Sequence, residues 1–198
     1  MATLTVAIMV FSCKSEKPEE IDFQKVPRQI VENMNVLRTR NGNPSMRMKA
    51  PLMQRFEYDV DDTTSCSYEL YQNGFHVDAY TEDGELETTV TSLQAKHVTT
   101  PGQESWCAFG DVVVTNHIKG ETLHTDTIYW DRAEHKIYTD CYVKLDSHSG
   151  MMQGYGMTSD ERARNAVIHR TFDNYFVMRD SSDVYVDSLN LLGPQPLK

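Results

Sequence analysis

Seven histidines and four cysteines are the residues of this chain best suited to metal or acid–base chemistry. His117, His124, His135 and His148 fall in predicted turns or at exposed strand positions. None of them belongs to an HxH or HExxH motif, and no CxxC pair accompanies them, so the sequence predicts no metal site. GxSxG, Walker and GxGxxG motifs do not occur either. We therefore predict a protein that is not an enzyme and that uses no cofactor.

The carboxylates leave one weaker alternative open. Glycoside hydrolysis needs two carboxyl groups at a defined distance in space, which spacing along a sequence does not reveal. In a carbohydrate-processing protein, Trp106 and Trp130 would be exposed platforms for sugar rings. We expect Trp130 to point inward, and this disfavours the alternative.

The N-terminal cysteine has a setting different from the other three. Residues 4–11 form a short apolar run that ends near Cys13. This run has the length of a signal-peptide core and is too short to span a bilayer. We predict a signal peptide or membrane anchor over residues 1–13, with Cys13 as a lipidation site at a lipobox-like sequence. A truncated transmembrane anchor and a frayed hydrophobic N-terminus are the alternatives. Three cysteines remain as predicted buried thiols, with room for one disulfide at most: Cys66, Cys107 and Cys141.

The net charge of the chain limits its partners. It is −10 over 198 residues, so the surface would repel nucleic acid and would not rest on anionic headgroups. An apolar interior could still hold the acyl chains of an anionic amphiphile.

The elements that must position any site are β-strands. Short runs rich in β-branched and aromatic residues recur between turn signals, which predicts an all-β, antiparallel fold. We predict a polar tether over residues 14–33, one domain over residues 34–180 and a tail over residues 181–198. Within this tail, Val184-Tyr185-Val186 could add an edge strand.

The strands repeat as a unit. Residues 74–85 align with residues 110–121, and residues 90–97 align with residues 123–130. In the second pair the alternation of apolar residues slips by one position, near Asp126, which predicts a β-bulge or corner there. Repeated corners predict a twisted roll whose two sheets face each other.

The apolar positions of these strands predict an inward face. An ordinary filled core is the alternative explanation of the same alternation. In the first repeat, Phe75-His76-Val77-Asp78 leaves the inward parity undecided. The predicted lipid-binding residues are Val112, Val114, Leu123, Ile128, Trp130, Ile137, Val143, Leu145 and Met152.

Four segments resemble the LptC family of lipopolysaccharide export proteins, as found in Bacteroides-like bacteria. They are residues 109–116 (FGDVVVTN), 120–131 (GETLHTDTIYWD), 136–140 (KIYTD) and 154–160 (GYGMTSD). The resemblance is close over residues 106–160 and weaker over residues 36–97. It implies a β-jellyroll (β-taco) of two facing antiparallel sheets, related to the OstA/LptA-like fold, with acyl chains held between the sheets.

The resemblance also implies partners and a location. The protein would sit in the periplasm, anchored to the inner membrane by its N-terminal segment. It would accept lipopolysaccharide from an inner-membrane ABC transporter (LptB/LptF/LptG-like) near residues 34–40. An LptA-like protein would receive it by pairing with the strand edge near residues 167–177. The alternative is a structural or protein-binding β-roll lipoprotein without lipid transfer.

Overall fold

The described part of the chain is built from antiparallel β-strands. The computed structural model describes residues 25–61, 64–161, 163, 165–178 and 184–187, and within them it contains thirteen strands and no helix. All pairings between these strands are antiparallel, which confirms the all-β prediction. None of the described residues belongs to a helix long and apolar enough to cross a membrane.

The strands follow one another through short turns. Their bounds are β1 Gln29–Arg40, β2 Asn43–Asp61, β3 Thr64–Gln72, β4 Phe75–Tyr80, β5 Leu86–Ser92, β6 Gln94–Thr100, β7 Gln103–Asn116, β8 Glu121–Asp131, β9 Lys136–Ser147, β10 Gly150–Asp160, β11 Val167–Ile168, β12 Tyr175–Met178 and β13 Val184–Asp187.

Long strands pass from one side of the molecule to the other. Residues 46–49 of β2 pair with β4, whereas residues 52–61 pair with β3. In the same way β7 pairs with β6 through residues 103–109 and with β5 through residues 113–116. The sheet is therefore folded into two facing walls along a line of corners.

We name the two walls by the strands they contain. The first wall holds β4, β5, β12 and β13, with residues 34–40, 43–50, 112–116, 121–125, 141–147 and 150–155 of the longer strands. The second wall holds β3, β6 and β11, with residues 29–32, 52–61, 103–109, 127–131, 136–139 and 157–160.

Successive corners are tied to each other through the backbone. The Gly74 amide donates to the Leu93 carbonyl at 2.8 Å, and the Leu93 amide donates to the Gly110 carbonyl at 2.9 Å. Gly110 has φ +80°, a conformation that favours glycine. The register of β8 with β9 shifts between Thr125 and Tyr129, which confirms the corner predicted near Asp126.

One boundary differs from the sequence prediction, and one predicted edge strand is present. β1 begins at Gln29, so the last residues of the predicted tether (residues 14–33) are part of the sheet. The exposed pattern of β1 explains the difference, because an edge strand with little buried surface reads as a polar segment. The predicted edge strand near Val184 is confirmed as β13, which pairs with β12. The signal or anchor predicted over residues 1–13, including Cys13, lies outside the described residues.

The core lies between the walls, next to the corners. Val112 and Val143 are completely buried, and they lie on either side of Thr125 in the first wall. Met157 and Ile168 close the core at the β10 and β11 end of the sheet. Because the two walls diverge from the corner line, the interior is filled there and open farther out.

Candidate functional site

A groove of about 660 Å³ opens between the two walls. This size falls in the usual range of about 300–1,000 Å³ for small-ligand sites. Its lining is mostly apolar, with side chains from every strand between β2 and β10 except β3. The first wall contributes Met46, Met48, Val77, Val90, Val114, Leu123 and Leu145. The second wall contributes Ala95, Trp106, Ala108, Ile128, Trp130, Ile137 and Met157.

Six of the nine predicted lipid-binding residues line this groove. They are Val114, Leu123, Ile128, Trp130, Ile137 and Leu145. Val112 and Val143 face the same interior but are 0 % exposed, so they support the groove from beneath. Met152 is partly buried against the core and does not line the groove. Binding of lipid to these residues stays a prediction.

In the first repeat, alternate side chains of β4 point into the groove. Phe75, Val77 and Ala79 line the groove, so Asp78 belongs to the outer face of the first wall. Asp78 is nevertheless only 9 % exposed. Its carboxylate accepts hydrogen bonds from the Thr89 hydroxyl at 2.9 Å and from the His76 ring at 2.8 Å. The mixed sequence pattern thus arises from a polar cluster that is buried on the outer face.

Charged residues of both signs surround the apolar lining. Among the described groove residues, five glutamates outnumber three arginines. The polar part of an amphiphile would therefore meet both charges at the rim. The residues at the rim are Arg38, Arg40, Glu82, Glu104, Glu121, Arg132 and Glu161, whereas Glu87 is only 4 % exposed.

A histidine between two carboxylates stands on the second wall. His97 Nδ1 lies 3.1 Å from a Glu69 oxygen, and His97 Nε2 lies 3.1 Å from a Glu104 oxygen. Glu104 continues to Arg132, whose guanidinium donates at 2.6 Å. The His97 ring stacks on Trp106 at 4.1 Å between ring centres. Sequence reasoning missed this cluster because Glu69 and His97 are 28 positions apart and form no motif.

Burial and hydrogen bonding shift the pKa values of Glu69 and Tyr71 beside His97. The hydrogen bond with His97 lowers the pKa of Glu69 below its usual value, against the opposing effect of burial. Tyr71 donates to the Glu69 carboxylate at 2.6 Å, and burial together with this bond raises the pKa of Tyr71. The Glu69 carboxylate therefore lies between Tyr71 and His97, whose ring stacks on the groove residue Trp106.

The four histidines considered first are exposed, as the sequence predicts. His117 lies 2.9 Å from the Thr89 hydroxyl, and His135 lies 3.0 Å from Glu161. Within the described residues, no group of three or more histidines, cysteines and carboxylates is placed to hold a metal ion.

The two ends of the folded sheet are formed by β1 and by β13. β1 has one edge without a partner among the described strands, and it carries exposed apolar side chains: Ile30 at 56 %, Val36 at 48 % and Leu37 at 48 %. At the other end, β13 pairs along all four residues of β12. The predicted docking edge near residues 167–177 is therefore already paired over residues 175–178.

Sequence comparison finds a matching protein family. A family model described as "Lipopolysaccharide-assembly, LptC-related" matches residues 1–173 of the chain. The match covers most of the 198 residues. No curated protein matches the chain.

Proposed function

Because the chain belongs to the LptC family of lipopolysaccharide-assembly proteins, we propose that its groove carries the acyl chains of lipopolysaccharide during export. Membership of this family supports a role for the chain in lipopolysaccharide transport. The finer proposal is a bridge: the chain accepts lipopolysaccharide from an inner-membrane ABC transporter and passes it to an LptA-like protein. In this role it performs no catalysis.

The apolar groove between two open walls is the observation that carries the proposal. Each buried methylene contributes about 0.8 kcal/mol, so one long acyl chain supplies ample binding free energy. The charged rim can meet a polar headgroup while the chains lie on Val114, Leu123 and Ile128. A groove that leads outward between the walls also lets a ligand slide without unfolding the sheet.

Site-specific photocrosslinking in living cells tests this role. We place a photoreactive residue at Val114 or Leu145, which line the groove, and at Val113 as the matched control. Val113 follows Val112 in the same strand and therefore points to the outer face. We expect adducts with lipopolysaccharide at Val114 and Leu145 only. A folded, exported protein without adducts at either groove position would refute lipid transfer.

The exposed edge of β1 is the proposed docking site for the transporter. Strand addition at such an edge gives affinity through main-chain hydrogen bonds. Val36→Pro places a proline ring in the middle of β1. The control is Val60→Pro, because Val60 is also exposed (63 % of its surface) but lies far from that part of the edge. We expect Val36→Pro alone to abolish co-purification with the transporter. Equal co-purification of both variants would contradict docking at β1.

The β13 end is the proposed docking site for the LptA-like protein. Since β13 pairs with β12, the partner must add to β13 or replace it. Deletion of residues 184–187 separates the two routes: it removes binding if β13 is the docking strand and strengthens binding if β13 is displaced. Unchanged binding would contradict a docking site at this end.

We also propose that the chain lies in the periplasm and is held at the inner membrane through its N-terminal segment, with Cys13 as the lipidated residue. Incorporation of radiolabelled fatty acid into the wild type and its absence from Cys13→Ser would support this anchor. Label in both proteins would exclude Cys13 as the site.

The alternative function, a structural or protein-binding β-roll, is favoured by one observation. Val112 and Val143 are 0 % exposed, so the interior next to the corners is packed like an ordinary core. The photocrosslinking experiment separates the two functions, because a structural roll has no reason to contact lipopolysaccharide at Val114.

A further inference from the structure

Three polar atoms of the groove have no hydrogen-bond partner within the described part of the chain. They are the Thr88 hydroxyl, the Ser159 hydroxyl and the Trp130 indole nitrogen, and all three are buried from solvent. Thr88 and Ser159 are each only 7 % exposed as residues. All three residues line the groove. Buried polar atoms are normally paired, so three exceptions in one groove require an explanation.

Other buried polar groups of the interior are paired. Thr125 donates to the Tyr142 carbonyl at 2.9 Å, and Ser92 donates to the Gln94 carbonyl at 2.8 Å. The Asn116 side chain accepts from the backbone amide of Lys119 at 2.9 Å. The fold thus satisfies polar groups near the corners and turns, and the unpaired ones belong to the groove lining.

The remaining unpaired atoms are of a different kind. They are the Nε atoms of Arg47 and of Arg55, and the Arg55 Nε lies 3.8 Å from a Glu57 carboxylate oxygen as an ion pair. A guanidinium carries four further N–H donors, so one unpaired Nε leaves the charge with other partners or with water. A serine or threonine hydroxyl and an indole N–H have no further donors of this kind.

Strand register relates two of the three groups. Trp130 pairs with Ile137, and Ile137 pairs with Ser159. Trp130 and Ser159 therefore flank Ile137 on the second wall, with all three side chains at the groove. Thr88 stands on the first wall, where it pairs with Asn116. Each wall consequently offers polar atoms within an otherwise apolar surface.

The chemistry of these groups selects the ligand group that they fit. Indole N–H only donates, and the hydroxyls can both donate and accept, so all three can serve one kind of ligand atom: an acceptor oxygen. An uncharged carbonyl oxygen has two lone pairs and can enter an apolar groove, whereas an anion would lose hydration there. A carbonyl that joins a long alkyl chain to a polar body is an acyl ester or amide.

We propose that Trp130 and Ser159, with Thr88 on the facing wall, bind the acyl carbonyl oxygens of the ligand and so fix how deep each chain lies in the groove. This inference rests on the proposed function and names the part of the ligand that the groove recognises. A site that pairs with a ligand oxygen discriminates against an analogue lacking it, because its own polar atoms then stay unpaired.

The test compares two probes that differ only in this carbonyl. They are a long-chain monoacylglycerol and the alkyl glycerol ether of equal chain length, with affinities measured on the full chain by calorimetry. We expect the wild type to bind the ester about two- to tenfold more tightly for each hydrogen bond formed. The variant that combines Trp130→Phe and Ser159→Ala should lose most of this preference, so that its affinities for the ester and the ether become similar.

Two further variants complete the design. Thr88→Val removes the hydroxyl of the first wall and should reduce the remaining preference. Ser92→Ala removes a buried hydroxyl that is already paired with Gln94, and it should keep the full preference for the ester. Circular dichroism and thermal unfolding establish that each variant is folded before its affinities are compared.

Each outcome decides the inference. Equal affinity of the wild type for both probes would overturn it. Retention of the preference in the combined variant would also overturn it. If lipopolysaccharide crosslinks at Val114 while the two probes bind equally, the proposed function stands and only the carbonyl site fails. Absence of both crosslinks and probe binding would overturn the two together.

Discussion

The contact between corners makes Gly110→Ala an informative substitution. Gly110 has φ +80°, and a Cβ there would lie 3.0 Å from the Leu93 Cβ and 3.2 Å from its Cδ1. Gly102 has the same φ of +80°, but a Cβ there would meet nothing within 4 Å. The two alanine variants thus share the cost of a left-handed backbone and differ in the contact with Leu93.

The expected loss of stability is the sum of the backbone cost and the crowding against Leu93. Alanine in the left-handed region costs about 1–2 kcal/mol, and its smaller unfolded-state entropy returns about 0.4–1 kcal/mol. Gly102→Ala should therefore lower the free energy of unfolding by about 1 kcal/mol. Crowding against Leu93 adds about 1–3 kcal/mol for Gly110→Ala. For a chain of this size the difference corresponds to about 3–10 °C in Tm.

Urea and thermal unfolding of the two variants measure this difference. Leu93 is 56 % exposed, so Leu93→Ala alone should cost little, and in combination with Gly110→Ala it should recover part of the loss. A double-mutant cycle gives the coupling energy directly. Equal destabilisation by Gly102→Ala and Gly110→Ala, or a coupling energy of zero, would refute the corner contact.

Acid titration and thiol labelling check two other features. Folding lowers the pKa of Glu69 through its bond with His97, so the stability that this carboxylate contributes is complete above about pH 4.3 and lost as pH falls through the lowered pKa. Glu69→Gln should therefore lower the free energy of unfolding at pH 7 and make its decrease in acid shallower. Glu57→Gln, at an exposed position, is the control and should change neither. Identical pH profiles of stability for the wild type and Glu69→Gln would contradict the Glu69–His97 pairing. Cys66 is buried and should be alkylated only on unfolding. Burial raises the pKa of the Cys107 thiol, so Cys107 should be alkylated slowly at neutral pH. Peptide mass spectrometry measures the labelling of both thiols. Rapid labelling of Cys66 in the native protein would contradict its burial.

The alternation of the later strands was the most informative sequence signal. It predicted the corner at Asp126 and the inward parity of Val114, Leu123 and Ile128, because side chains on a strand alternate strictly and a slip marks a bend. Nine predicted residues were not separated into lining and core, since both have the same parity and differ only in distance from the corner line.

Long-range polar pairs gave no such signal. His97 meets Glu69 and Glu104 because β6 pairs with both β3 and β7, and this order of strands is not visible in the sequence. Likewise, Asp78 interrupts the apolar pattern of β4 because partners on β4 and β5 bury it. The start of β1 at Gln29 was missed because an exposed edge strand lacks the apolar alternation that identifies strands.

The line of corners has a consequence for how the groove responds to its load. The described strand pairings run within each wall, and the covalent backbone joins one wall to the other at the corners. A change in the angle between the walls therefore requires rotation of a few backbone dihedrals and leaves the hydrogen-bond ladders intact. In the proposed role, acyl chains of different number would be accommodated by a change in this angle, while the core next to the corners stays packed.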